Sequence, residues 1–532
     1  MTTVLFVAVF IIGLFSLNAE LCRVLMMFQQ NSYRPSRFRR WISESGDSTN
    51  TIRLLGILAF FVALVPQCTA LAAMILSGVF FICSYVSLRQ RKYKKPLVMT
   101  SRAKRILATS FFVVAVIAGV AIVICDDGTY NQRIAVATEV LLGCYCGSLA
   151  LIVVANWFLK PVENRITRRY VNDAKARLES MHDLKIIGVT GSYGKTTTKH
   201  YLYRILSEKY ETLMTPGSFN TPMGVVRTIR EQLKPYHEVF IVEMGAKQKG
   251  DIDEICQIVH PQAGIVTAVG PQHLESFKTI ETVQATKFEL VDDLPADGVA
   301  LVNNDFEMIA NRRVDNVRCL RYAVKNKKNA DYTAEDVMYT PNGTSFVMRR
   351  ASDGHTLELE TRLVGECNVS NILGAAAMAQ QMGVPDESIR YAVSRIEQVE
   401  HRLSIRRIPG GLTIIDDAFN SNPVGSAMAL DVLASMKPGK RILITPGMIE
   451  LGEREVELNT AFGKKAASCC DVAIVVGQYN RDAITAGLNE GGMAASAIHT
   501  PDTFLQAQEI LRGIAAAGDT VLYENDLPDT FK

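Results

Sequence analysis

Residues 184–198 read LKIIGVTGSYGKTTT. The first seven are a short apolar run of the kind that forms a buried strand. Gly191-Ser192-Tyr193-Gly194-Lys195-Thr196-Thr197-Thr198 follows, and residues 200–210 (HYLYRILSEKY) carry helical spacing. Strand, glycine loop and helix in that order are the context of a phosphate-binding loop. Glycines let successive backbone N–H groups converge on phosphate oxygens, and the helix N-terminus adds a favourable dipole. Gly191, Ser192, Tyr193, Gly194, Lys195, Thr196 and Thr197 are therefore the candidate nucleotide-binding residues. Lys195 would pair with the β and γ phosphates, and the Thr196 hydroxyl would ligate Mg²⁺. The strict GxxxxGK[ST] spacing is not met, because position 189 is Val. The loop by itself implies ATP or GTP and does not name a reaction.

Downstream the chain alternates strands and helices to about residue 395, and a second doubly wound unit begins near 398 with LTIIDDAF, RILITPG, VAIVVGQ and TVLYEND. Two α/β domains are expected. Residues 331–363 alternate polar and apolar positions with Asn342-Gly343 and Asp353-Gly354 turns, which predicts a hairpin insertion. Glu243 ends the apolar strand VFIVEMGA at a β-to-α junction, where ligands of α/β sheets bind. Asp417 ends LTIIDDAF in the same way and is read as a nucleotide contact.

Upstream lie apolar runs at 4–17, 54–65, 68–86, 107–125 and 135–158. A bilayer-spanning helix needs roughly 20 apolar residues. The last two meet that length, the first does if extended to about residue 19, and 54–86 reads as two short spans or a re-entrant hairpin around Pro66 and Gln67. The loop at 20–53 holds six Arg, from Arg23 to Arg53. The loop at 89–105 is basic too, Lys92 and Lys94 included, as is the stretch after 158, whereas Asp126 and Asp127 mark an acidic loop. The positive-inside bias places the basic loops in the cytoplasm, the N-terminus outside, and everything after 160 inside. The start MTTV lacks the charge of a signal peptide.

The expected layout is a multi-span helical membrane region at 1–160, a basic connector at 161–183, a central P-loop α/β ATPase domain at 184–397 and a Rossmann-like α/β domain at 398–532. The length of 532 residues fits about three domains. A net charge of +3 gives no case for nucleic-acid binding. None of the 11 Cys forms a CxxC pair, so reduced thiols are the default.

Thr190 to Thr198 (TGSYGKTTT) resembles the phosphate loop of the Mur ligase family. Further pieces follow in the family's order: the Asn220-Thr221-Pro222 loop, Glu243, His273-Leu274-Glu275, Lys287, Asn368-Val369-Ser370-Asn371, His401-Arg402-Leu403, Asp416 to Pro423, and Gly447 to Gly452. The likeness spans about 185–525 and is greatest to the family's D-alanyl-D-alanine-adding members. It implies an ATP-dependent, ADP-forming amide ligase of peptidoglycan or envelope-polymer synthesis that activates a carboxylate as an acyl phosphate for attack by an amine. Two anions must then approach each other, so magnesium and cationic groups have to offset their repulsion.

The resemblance assigns roles residue by residue. Thr196 and Glu243 hold one magnesium, and His273 and Lys287 serve a second. Lys287 is carbamylated (N-carboxylysine), because a lysine amine is a poor neighbour for a cation that prefers hard oxygen. Asn368 and Asn371 contact adenine. Arg402 reaches the γ-phosphate once the domains close. Lys195, Lys287, His273 and Arg402 are the catalytic set. The implied partners are a small amine (amino acid or dipeptide), a peptidyl carboxylate acceptor, and cell-wall synthesis proteins at the membrane.

Three departures stand out. A membrane region replaces the family's UDP-sugar-binding domain, which leaves room for a lipid-linked acceptor. Cys367 stands where histidine is frequent. The end of the chain is acidic from Glu524 to Asp529 where Lys-Gly-Ser-Arg is usual, and reads equally as an ammonium-binding element or a solvated tail. A poly-γ-glutamate-type membrane ligase and a nucleotide-responsive membrane regulator are the competing readings. An ATP-driven transporter is weaker, because 107–125 and 135–158 read as free of a charged path.

Overall fold

The computed structural model describes every residue except 1, 46–49, 66–68, 92, 94, 125–128, 341–342, 420, 437 and 527–532. Pro66, Gln67, Lys92, Lys94, Asp126, Asp127, Asn342, Asn420 and the 527–529 part of the acidic run lie outside the described residues. The chain forms two compact units, Met1–Arg168 and Arg169–Asp526.

The first unit is helical: α1 Thr2–Gln30, α2 Pro35–Ser45, α3 Thr51–Ala63, α4 Ala70–Gln90, α5 Ser101–Ile124, α6 Tyr130–Cys146 and the beginning of α7 Ser148–Glu179. Among the described residues α1, α4 and α5 are each long and apolar enough to cross a membrane. Helix α3 has 13 residues, about 20 Å at 1.5 Å per residue, which falls short of a ~30 Å hydrocarbon core.

Three expectations about this unit need correction. Residues 135–158 are not one straight segment, because α6 and α7 meet at 87°. The Gly147 N–H closes α6 on the Gly143 carbonyl, while the Cys146 carbonyl accepts from Arg53 Nη1 at 3.2 Å. Nor is that stretch free of charge: Glu139 lies within it and accepts from the Ser77 hydroxyl at 2.8 Å. The arginines assigned to the 20–53 loop also divide. Arg23 and Arg53 sit in α1 and α3, buried against Glu20, each with a 2.7 Å contact to it.

The second unit holds two sheets. The first contains β1 Lys185–Thr190, β2 Thr212–Met214, β3 Val239–Glu243, β4 Ala263–Val266, β5 Val299–Asn303, β6 Arg318–Ala323, β7 Tyr332–Thr340, β8 Gly343–Arg350 and β9 Thr356–Thr361. Its order is β2-β3-β1-β4-β5-β6-β7-β8-β9. Pairing is parallel through β7 and antiparallel across β7-β8-β9. The expected hairpin insertion is thus a three-stranded extension of the main sheet. Strand β1 lies where the chain order reverses, the position at which open α/β sheets bind ligands beyond their carboxyl ends.

The second sheet contains β10 Ser404–Arg407, β11 Thr413–Asp417, β12 Arg441–Thr445, β13 Val472–Val475, β14 Ile498–His499 and β15 Thr520–Glu524, in the order β10-β11-β15-β12-β13-β14. Only β10 is antiparallel. The return of β15 to the centre brings Glu524 between the ends of β11 and β12.

Helix α8, Lys195–Leu206, follows β1 and buries Tyr201, Leu202, Ile205 and Leu206 against Ile372, Leu373 and Ala376 of the helix Glu366–Gln381. Each such aliphatic side chain contributes about 1.5–3 kcal/mol by leaving water. That packing fixes the N-terminus of α8 at the mouth of the sheet. The stretch 161–183, expected as a connector, is helical to Glu179. Its Ala174 is fully buried in the core under the first sheet, and Arg177 donates to the carbonyls of Ile229 and Arg230 at 3.2 and 2.8 Å.

Candidate active site

The loop after β1 is bound to the segment after β4. Ser192 N–H donates to the Ala268 carbonyl at 2.7 Å, the Ser192 hydroxyl donates to the Gly270 carbonyl at 3.1 Å, and Tyr193 OH donates to the Pro271 carbonyl at 3.1 Å. Gly191 (φ 147°) and Gly194 (φ 76°) take backbone conformations that side chains disfavour. A Cβ on Gly191 would lie 2.1 Å from Thr267 Oγ1, and one on Gly194 would lie 2.6 Å from Asn371 Oδ1. Lys195 folds back over this loop, its ammonium donating to the Gly191 carbonyl at 2.6 Å and to Ser192 at 3.2 Å. Burial lowers its pKa to about 8.

At the carboxyl end of β3, Glu243 is buried and gathers four neighbours. Thr196 Oγ1 donates to Oε1 at 3.0 Å, Asn220 Nδ2 donates to the same oxygen at 3.0 Å, Lys199 Nζ lies 3.0 Å from Oε2, and the Glu243 N–H donates to Thr215 Oγ1. Burial opposes the charge on Glu243, but Lys199 and Lys195 hold its pKa below the ordinary carboxylate value. The hydroxyl and carboxylate oxygens of Thr196 and Glu243 are the hard donors that Mg²⁺ selects, and their few ligands leave places for water and phosphate. Among the described residues no group of three or more His, Cys, Asp and Glu could hold a metal.

Lys199 was missed as a site residue in the sequence, and the Asn220 loop was quoted there without a role. Lys199 lies four residues after Lys195, one helical turn on, and is fully buried; that spacing was the available signal.

Lys287, on the helix Ile280–Asp292, is 1% exposed. Its ammonium lies 5.9 Å from the centre of the Phe277 ring. Burial first, then the charge of Lys195, pushes its pKa well below that of an ordinary lysine. Neighbouring His273 has φ 52° and pairs through Nδ1 with Glu450. Glu450 also meets Lys247 at 3.1 Å. Burial would raise the Glu450 carboxyl, but His273 and Lys247 hold it well below its usual range. Glu450 belongs to the 447–452 glycine loop, so this contact joins the two sheets' domains. The sequence reading quoted that loop but assigned Glu450 no role.

Arg402 stacks over Phe419 at 4.2 Å. It lines a cavity of about 680 Å³ together with Thr196, His200, Tyr201 and His401. Thus Arg402 already shares a cavity with the phosphate loop. Asp417 accepts from the Leu403 N–H at 3.0 Å, and burial raises its pKa to about 6 despite Arg402 nearby. The two asparagines expected at the adenine are tied to α8. Asn368 accepts from Tyr201 OH at 2.7 Å and donates to the Val364 carbonyl, and Asn371 accepts from Thr198 Oγ1 at 3.2 Å. Both therefore pin α8. Burial raises the Cys367 thiol to about 12, so it is no thiolate at neutral pH. Glu524 is fully buried, not part of a solvated tail: it accepts from Thr445 Oγ1 at 2.9 Å and pairs with Ser421.

With this geometry in view, the comparisons with known proteins are specific. Residues 189–379 match the Mur ligase middle domain, and residues 401–523 match the Mur ligase, glutamate ligase domain. The chain belongs to the Mur ligase family. As a Mur ligase it is an ATP-dependent, ADP-forming ligase, and the family uses Mg²⁺. It is 29% identical over 361 residues to the UDP-N-acetylmuramoyl-tripeptide--D-alanyl-D-alanine ligase of Escherichia coli (strain K12), covering 66% of this chain and 78% of that protein. The enzyme of the same name from Bacillus subtilis (strain 168) is 26% identical over 355 residues, 66% of this chain and 75% of its own. Among solved structures, MurF ligase from Thermotoga maritima in complex with ADP aligns with a TM-score of 0.60 at 25% identity, covering 68% of this chain and 80% of that one. MurF from Acinetobacter baumannii gives 0.61 at 25% identity, with 68% and 77% covered. In this Mur ligase the matched part lies wholly within the second compact unit, and the helical unit stands outside both matched domains.

Proposed function

We propose that this Mur ligase adds an amino acid or dipeptide, D-alanyl-D-alanine being the leading candidate, to the peptidyl carboxylate of a cell-wall precursor at the cytoplasmic face of a membrane. The observation that carries the reading is the oxygen pair of Thr196 and Glu243, backed by Lys199, opening on the cavity that Arg402 lines. The names of its relatives supply the amine.

Magnesium held by Thr196 and Glu243 would draw charge from the terminal phosphates. The chain's own residues do the rest. Lys195 moves from the loop carbonyls to the phosphates, and Arg402 supports the γ-phosphate as charge develops. Lys287, with its pKa driven down by burial, offers the neutral amine that carbamylation requires. Glu450 orients His273 beside it. The acceptor carboxylate attacks the γ-phosphorus and ADP leaves; the amine then attacks the resulting acyl phosphate, gives up a proton and expels phosphate.

Three long apolar helices support membrane anchoring, and the basic residues bordering α4 and α5 support cytoplasmic catalytic domains. The acceptor is carried by either a UDP-sugar or a membrane lipid. The deciding experiment gives the purified full chain ATP, Mg²⁺ and D-alanyl-D-alanine with each acceptor in turn. Acceptor-dependent phosphate release with a matching mass increase is expected. Nucleotide binding without either product would sink the ligase reading in favour of a nucleotide-responsive regulator.

A further inference from the structure

We propose that the first part of α7, from Ser148 to about residue 165, lies in the plane of the membrane surface and sinks an apolar face into an anionic lipid leaflet. This rests on the reading that α1, α4 and α5 cross a membrane.

The first observation is where this stretch is anchored. At its start, Ser148 Oγ lies 3.1 Å from Glu20 and accepts from Arg53 Nη2 at 3.3 Å. Arg53 is in the first turn of α3. One-third to halfway along, Asn156 Oδ1 accepts from Arg102 Nη2 at 3.2 Å. Glu163 accepts from Arg105 at 2.6 and 3.0 Å. Arg102 and Arg105 are in the first two turns of α5. The helix thus runs from the mouth of α3 to the mouth of α5, and both mouths are preceded by the basic loops that mark one side of the bilayer. From 148 to 163 a helix covers about 23 Å. A segment of that length along the membrane normal would carry Glu163 away from the level of Arg53. The 87° turn at Gly147 accounts for its staying there.

The second observation is the face it leaves uncovered. Leu151, Ile152 and Ala155 pack into the core of the helical unit. On the other side Val154, Trp157, Phe158 and Val162 are 41%, 66%, 57% and 47% exposed. Spacings of three, four and eight residues put them on one stripe. Four large apolar side chains facing water on a helix held at a bilayer's edge are poorly placed; facing lipid they are buried. Lys160 and Arg165 are exposed on the same segment, and Arg168 just beyond it; they suit anionic headgroups. Tryptophan is one of the residues that favour the interfacial zone.

The chain has two tryptophans, Trp41 and Trp157, which makes a depth measurement direct. The full chain carrying Trp41→Phe is placed in nanodiscs of phosphatidylcholine and phosphatidylglycerol. Nitroxide quenchers sit near the acyl carbonyl or near mid-chain. Trp157 is expected to lose more fluorescence to the shallow quencher than to the deep one. A reference chain with Trp41→Phe, Trp157→Phe and Val116→Trp reports on α5, where residue 116 is 49% exposed, and is expected to show the reverse order. Trp157 quenched like the reference would make this stretch part of a span and overturn the proposal. Trp157 unquenched beside a quenched reference would put the face against water or protein and overturn it too. If the reference itself is unquenched, the membrane reading fails with it.

Discussion

The Lys199 ammonium lies 3.0 Å from Oε2 of Glu243, and neither side chain reaches solvent. Lys199 also donates to the carbonyls of Thr215 and Gly217 at 2.8 and 2.5 Å. It therefore positions the carboxylate whose other oxygen meets Thr196. Lys199→Met should leave the buried Glu243 charge without its contacting cation, with Lys195 alone to offset it; breaking such a buried pair costs roughly 3–5 kcal/mol. Thermal unfolding would register that loss, and a Mg²⁺ titration of nucleotide binding would show weakened metal dependence. An unchanged Mg²⁺ response in a folded variant would remove Lys199 from the positioning role.

Lys195 has a pKa of about 8 in the free protein. A bound triphosphate favours its charged form, so binding takes up a proton once the pH passes about 8. Affinity for ATP should then fall as pH rises above that value, and not below it. Calorimetry in buffers of different ionisation enthalpy would count the proton. Binding without proton uptake between pH 8 and 9 contradicts the assignment.

Lys287→Ala should lower turnover by about 10²–10³-fold, the size of losing one preorganised charge-stabilising group. Added short carboxylic acids should restore part of it by supplying the missing oxygens. Retained activity in this variant, with no response to such acids, would rule out the carbamate.

Glu450→Gln removes the carboxylate that joins His273 and Lys247. Burial already lowers the His273 pKa while Glu450 opposes that shift, so the substitution should lower it further. The lost charge-assisted bonds amount to about 1.5–3 kcal/mol. Histidine NMR titration and domain-level unfolding would check the two effects separately.

Burial raises the Glu524 pKa to about 7. The folded state therefore holds a proton that the unfolded chain has released. Stability should fall as pH rises from the ordinary carboxylate value through about 7, then level off. The full excursion is roughly 3 kcal/mol at 1.36 kcal/mol per pKa unit. Glu524→Gln should flatten the unfolding midpoint over that window; an unaltered slope would mean that another group is responsible.

Much of this was readable in residue order. The 184–198 stretch specified strand, loop and helix because glycine spacing and local hydrophobic period act over a few neighbours. The apolar helices α1 and α5 were legible too, since length and composition decide them. What sequence could not supply was contact between distant positions. Lys199 reads as an ordinary helix lysine until β3 brings Glu243 beside it, and Glu450 gains meaning only when the second sheet's loop reaches His273. Residues 135–158 read as one span because hydropathy is blind to direction, and it took Arg53 at the Cys146 carbonyl to reveal the turn. Local preference fixed which elements exist; long-range packing and the pairing of buried charge decided which side chains meet.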